Sequence, residues 1–213
     1  VCRAQVYFER GNLAAARLDL ERSLGILDAS GNASSVDAAR AKAYLARIAF
    51  ERNDPDLAYR TMDEVLTIER ARSGEESADY SQMLQWKALL LIRGGRSGEA
   101  APLLDRAQLI AERQDATDEP RLLLSRDETA AAYCLARHSA EARRALDQAR
   151  GMTHAEVPPE ARWLEAAVGA ACGPGDANAR RAAWAAARAR VAGLLGPRAP
   201  MIHLFDALPL PPA

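Results

Sequence analysis

Apolar residues return along this chain at helical spacing, and the helical stretches themselves return at a fixed interval. From Leu13 to Leu27 the first rule is plain: Ala16, Leu20, Ser23, Leu24 and Leu27 form one stripe, with Arg17, Asp19, Glu21 and Arg22 on the opposite side. The second rule is clearest from Tyr80 to Glu112, which reads as two helices folded back on each other across Arg93-Gly94-Gly95-Arg96-Ser97. Ala100 opens the second of these, and Ala16, Ala58 and Ala142 stand at matching places, each step being 42 residues. Four positions on come Leu20, Met62, Leu104 and Leu146, and twelve positions before each alanine lie Ala4, Ala46, Ala88 and Ala130. Four copies in one register are an internal repeat. Alanine recurs there because two helices crossing at about 8 to 10 Å leave no room for a larger side chain. Such pairs must stack, since one helix pair cannot cover its own apolar face.

The periodicity predicts an all-α solenoid of antiparallel helix pairs over 1–196, with repeats near 1–36, 37–77, 78–117 and 118–157 and a degenerate pair at 158–196. Turn chemistry agrees. Gly11-Asn12 ends the first helix, Asp54 can cap the helix that Pro55 begins, and Gly94-Gly95 and Arg137-His138-Ser139 punctuate units three and four. Past Met152 the 42-residue step fails. Val157-Pro158-Pro159 closes a loop, and Glu160 to Cys172 and Ala179 to Leu195 make the fifth pair across Gly173-Pro174-Gly175-Asp176. In the tail, 197–213, Pro197, Pro200, Pro209, Pro211 and Pro212 predict an extended chain and no regular helix. Its apolar run, Met201 to Phe205 with Leu208 and Leu210, needs a surface, either as a cap over the last helix pair, the preferred reading, or in the groove of this or a neighbouring molecule.

Composition narrows the function more than the fold. A hydrophobic fraction of 49% with 5% aromatic describes a core of alanine and leucine. A net charge of -1 supplies no global basic field, which disfavours nucleic acid as a partner. A local basic patch does exist: Arg181, Trp184 and Arg188 share a helix face, flanked by Arg180, Arg190 and Arg198. Lysine occurs only at Lys42 and Lys87, and we take the arginine bias as a sign of a GC-rich bacterial coding sequence. Cys2, Cys134 and Cys172 are odd in number and lack CxxC spacing, so neither a disulfide framework nor a zinc site is expected, and a reducing, cytoplasmic compartment is. No apolar run reaches the roughly 18 residues of a spanning helix. The chain starts with Val1, partway into a repeat unit, which predicts a longer protein with further repeats or an effector domain, such as a kinase or a transcriptional regulator, upstream.

No catalytic constellation emerges. His138, His154 and His203 are far apart, without HExxH spacing, and no serine or cysteine stands in a nucleophile motif. The Gly-Gly-Arg-Ser-Gly cluster lacks the preceding strand and GK[ST] ending of a phosphate loop, and Glu75-Glu76 sits among polar loop neighbours. The expectation is therefore a non-enzyme, with no cofactor, no metal and no small-molecule substrate.

With Ala88, Ala100 and Leu104 in unit three and their equivalents in the other units, the sequence resembles tetratricopeptide repeats, most closely the longer 42-residue variety of kinesin light chain and many bacterial regulatory proteins. Tyr7 and Tyr133 keep the family's aromatic three positions after the first small residue, whereas Ala49 and Leu91 depart from it. The resemblance implies a right-handed superhelix whose first helices line a concave groove that binds a protein or peptide. Carried over by position, the groove residues are Gln5, Phe8, Glu9, Arg47, Phe50, Glu51, Gln85, Leu89, Ile92, Arg93 and Cys134, with Ala43, Ala131, Asp127 and Leu135 beside them. Phe8, Phe50, Ile92 and Cys134 would form an apolar ladder, or simply pack between repeats. The Lys and Asn set with which some members clamp a C-terminal carboxylate is absent, since Gln5, Arg47 and Leu89 occupy successive equivalents. Self-association is left open.

Overall fold

In the computed structural model, which describes residues 1–113, 119–151 and 159–209, the described residues form helices and no strand. The pairs are α1 (Cys2–Glu9) with α2 (Leu13–Ala29), α3 (Val36–Glu51) with α4 (Pro55–Ser73), α5 (Ala78–Arg93) with α6 (Ser97–Arg113), α7 (Glu119–Leu135) with α8 (Ser139–Arg150), and α9 (Pro159–Cys172) with α10 (Ala177–Leu195). A further helix, α11 (Pro200–Ala207), follows. Each of the paired helices packs on its partner, and the first helix of a unit packs on the unit before it. The loop expected at Val157-Pro158 lies outside the described residues.

The turns inside the first four units are one motif used four times. Gly11, Asn53, Gly95 and Arg137, 42 residues apart, all have positive φ, at 72°, 64°, 79° and 66°. At each, the next residue's N–H reaches back to the carbonyl five positions earlier: Asn12 to Tyr7, Asp54 to Ala49, Arg96 to Leu91 and His138 to Tyr133, at 2.7 to 3.0 Å. This is the Schellman arrangement, which satisfies carbonyls a helix end would otherwise leave open. Side-chain caps start the following elements. Asn12, Ser35, Asp54 and Ser77 accept from the backbone N–H groups of Ala15, Ala38, Leu57 and Tyr80 at 3.1 to 3.2 Å.

The core follows the register. Ala16, Ala58, Ala100 and Ala142 are 0% exposed, as are Ala46, Ala88 and Ala130, and Ala4 is 1% exposed. Leu20, Met62, Leu104 and Leu146 are buried beside them. One apolar cluster runs from Ala43 in unit two through α5, α7 and α9 to Phe205 and Leu208, and a second holds α1, α2 and part of α3.

Two expectations are corrected. The tail is not simply extended, since Pro200 stands at the first turn of α11, where its missing N–H costs nothing, and Pro209 lies past its end. The prolines flank a helix of eight residues. And the thiols are not both free small residues, for Cys134 at the end of α7 and Cys172 at the end of α9 form a disulfide, with Cα atoms 5.9 Å apart. Stacking the first helices of successive units brings together two residues 38 positions apart in sequence. Cys2 is exposed and free.

Candidate binding groove

The first helices α1, α3, α5 and α7 share the 42-residue register, and where they stack, residues 42 apart become neighbours. Tyr44 meets Trp86 edge to face, with ring centroids 5.5 Å apart. The Trp86 indole Nε1 donates to Glu128 Oε2 at 3.3 Å, and Arg93 Nη1 donates to Glu51 Oε1 at 2.7 Å. Arg47 lies over three rings at once, its guanidinium carbon 4.5 Å from the Phe8 centroid, 4.7 Å from Trp86 and 5.3 Å from Tyr44. Arg93 covers Phe50 in the same manner at 4.8 Å. A guanidinium is weakly hydrated and planar, so it takes such a sandwich more readily than an ammonium.

Electrostatics in this wall depart from those of open surface. Burial raises the Glu51 pKa on its own, but hydrogen bonds and charge from Arg93 and His203 outweigh it and hold the carboxyl below its usual value. Glu128 goes the other way. Burial pushes it up to about 7, against the opposing pull of Arg47 and of the Trp86 hydrogen bond. Burial likewise pushes Asp127 up to about 8, helped by the negative charges of Glu165 and Glu128. Tyr44 is pushed up to about 12 by burial.

The groove is not open. α11 sits across it, holding the last helix pair on one side and the first two units on the other. Towards α10, the Trp184 indole donates to the Phe205 carbonyl at 3.3 Å, and Arg188 grips Asp206 through Nε and Nη2 at 2.5 and 2.8 Å. Towards α3, His203 Nδ1 lies 2.5 Å from Glu51 Oε2. The linker also reaches the turn between α1 and α2, so closely that a Cβ at Gly11 would collide with the Arg198 carbonyl. Ile202, Leu204, Phe205 and Leu208 are buried, and a small cavity remains where Pro200, Met201 and Leu204 face Phe8, Arg47, Glu51 and Trp86.

Against this geometry the residues carried over from the sequence fall into three sets. Arg47, Glu51, Leu89 and Arg93 line the cavity with Phe8 and Glu9. Gln5 is exposed, while Gln85 is buried and donates to Thr129 at 2.9 Å. Of the apolar ladder, Phe8, Ile92 and Cys134 are buried and Phe50 is half-buried beneath Arg93, and Cys134 is withdrawn into its disulfide. The basic patch on α10 faces α11, since Trp184 and Arg188 both engage it, and Arg181 bonds to Asn178 at 2.5 Å. Sequence reasoning missed Tyr44, Trp86 and Glu128, although all three stand two positions before the small alanine of their unit. Among the described residues, no three histidine, cysteine or carboxylate side chains cluster as metal ligands would, and no helix is long and apolar enough to cross a membrane.

No protein-family model and no curated protein matches the chain. Among solved structures it is similar to two crystal structures of kinesin light chain nearly identical TPR-like repeats from Podosopora anserina, one of them a single-substitution variant. Both are 20% identical to it with a TM-score of 0.60, over 90% of this chain and 92% of theirs. Helix pairs in a 42-residue register, crossing on buried alanines, and this likeness over nine-tenths of the chain give one conclusion: the chain has the fold of tetratricopeptide-like helical repeats.

Proposed function

We propose that the array is a protein–protein interaction scaffold whose concave groove receives a peptide or protein segment, as a regulatory part of a larger, bacterial protein. The observation that carries this reading is α11: a helix of the chain itself already lies in the groove, against the arginine–aromatic wall of Arg47, Phe8 and Trp86. Arg47 and Arg93 on aromatic rings, Glu51 beside them and apolar residues between make a surface of mixed character, suited to an amphipathic segment. A non-catalytic role accords with the sequence, which offers no nucleophile or ligand motif. Nucleic-acid contact through α10 is the weaker reading, because Trp184 and Arg188 would first have to leave α11.

Selection of a displayed peptide library on the full chain tests the proposal. Enriched peptides are expected to lose at least about tenfold in affinity to Arg47→Ala and to be indifferent to Arg60→Ala, which alters an exposed residue of α4. No enrichment, or equal sensitivity to both substitutions, would overturn it. A cytoplasmic setting is the companion reading from the sequence, and the Cys134–Cys172 disulfide weighs against it, since stable disulfides belong mainly to oxidising compartments. Counting free thiols on protein trapped directly from cells decides between them.

A further inference from the structure

Resting on the protein-binding reading of the same groove, we infer that α11 is a displaceable strap, and that the partner the groove fits is a short amphipathic helix that copies it. Three features of α11 define that partner. Met201 and Leu204, three residues apart, face Phe8, Arg47 and Trp86 across the cavity and act as anchors on that side, with Ile202, Phe205 and Leu208 buried beside them. Pro200 starts the helix without needing a donor. His203, from the other face, reaches Glu51, so a basic side chain at that place in a partner would find the same carboxylate.

That the strap can leave follows from how it is held. A helix of eight residues has no stability of its own, so α11 exists only while docked. It is joined to α10 by the short stretch 196–199, where Gly196 has φ 93°, and its polar contacts towards the groove, among the described residues, come down to the His203–Glu51 pair. The occupant is tethered, which gives it an effective concentration in the millimolar range; an outside helix must outcompete that. Loosening the strap raises apparent affinity in proportion to the fraction of chains left open.

Gly11 provides a clean lever. A side chain there would collide with the linker at Arg198, and the positive φ is no obstacle in itself, because the equivalent place in unit two is Asn53 at φ 64°. At Gly95, the equivalent in unit three, an added Cβ would meet nothing within 4 Å, and that position serves as the control. The probe is a fluorescent synthetic peptide with the sequence of residues 199–209, titrated by anisotropy into the full chain carrying Gly11→Asn, Gly95→Asn or His203→Ala. Gly11→Asn and His203→Ala are each expected to bind it at least about tenfold more tightly than the parent chain, and Gly95→Asn to match the parent. Trypsin cleavage after Arg198 should accelerate in the first and third variants only. Equal peptide affinity and equal cleavage in all four chains would overturn the inference, His203→Ala covering the case in which Gly11→Asn disturbs α1 itself. Peptide binding by the loosened chains with no selected outside ligand able to compete would support the strap and sink the scaffold reading. Outside ligands that bind parent and loosened chains alike would do the reverse.

Discussion

Among the described residues, Asp127 is a carboxylate whose surroundings oppose its charge. It is 0% exposed, neither carboxyl oxygen has a hydrogen-bond partner among the described residues, and its pKa is raised to about 8. The folded state therefore holds a proton that the unfolded chain, with a carboxyl pKa near 3.9, releases. Between those values the native state binds more protons than the unfolded one, so this group lowers stability as pH rises from about 4 to 8. Asp127→Asn, neutral throughout, is expected to be more stable than the parent by an amount on the order of a few kcal/mol at pH 8 and to show no gain below pH 4, as thermal melts across that range will show. A second residue-scale expectation concerns the alanine crossings. Ala100→Leu adds volume at a place with no exposure and should cost about 1 to 3 kcal/mol by denaturant unfolding, whereas the same change at exposed Ala189 should be close to neutral.

At the scale of elements, the last helix pair departs from the 42-residue register, and a covalent link compensates. The Cys134–Cys172 disulfide ties the end of α9 to the end of α7, closing 38 residues of chain. Restricting the unfolded chain over such a loop contributes roughly 2 to 4 kcal/mol. Cys172→Ala is expected to lose about that much and, because α10 carries the strap, to speed trypsin cleavage after Arg198 as well. Which elements could be read from the sequence follows from the range of the interactions that make them. Capping by Asp54, the Gly95 turn and the buried alanines act within a few residues or within one period, and each left a mark where it acts. The disulfide joins positions that only stacking brings together, and an odd cysteine count concealed it. In the tail, five prolines argue by composition for an extended chain; Pro200 and Pro209 instead bracket the helix, a distinction of position and not of composition.

For the whole molecule, the repeat register names Arg47, Glu51, Leu89 and Arg93, which line the cavity under α11, but it does not show that this space is closed. Curvature accumulates over five pairs until Arg198 meets Gly11, and no window of sequence carries that sum. The same closure turns side chains that were expected to face a partner into contacts with α11 and with one another. Glu51 and Arg93 illustrate the energetics, their side chains being 4% and 15% exposed. Arg93→Ala leaves the Glu51 carboxylate without its main counter-charge and should cost about 3 kcal/mol by chemical denaturation, part of it recovered by adding Glu51→Gln.

Along the concave wall, Glu9, Glu51, Arg93 and Leu135 are one position written four times, and the Glu51–Arg93 bond is thus a contact between adjacent cells of a one-dimensional lattice. Like any lattice with unequal cells, it responds differently to the removal of different ones. Excising the period 37–78 would splice unit one onto unit three and set Glu9 against Arg93, so acid still faces base across the seam. Excising the period 79–120, equal in length, would set Glu51 against Leu135, an apolar side chain in the place of its arginine. Two shortened arrays with the same number of repeats thus differ by a whole ion pair, and the order of its units constrains how such a chain can lose or gain a repeat.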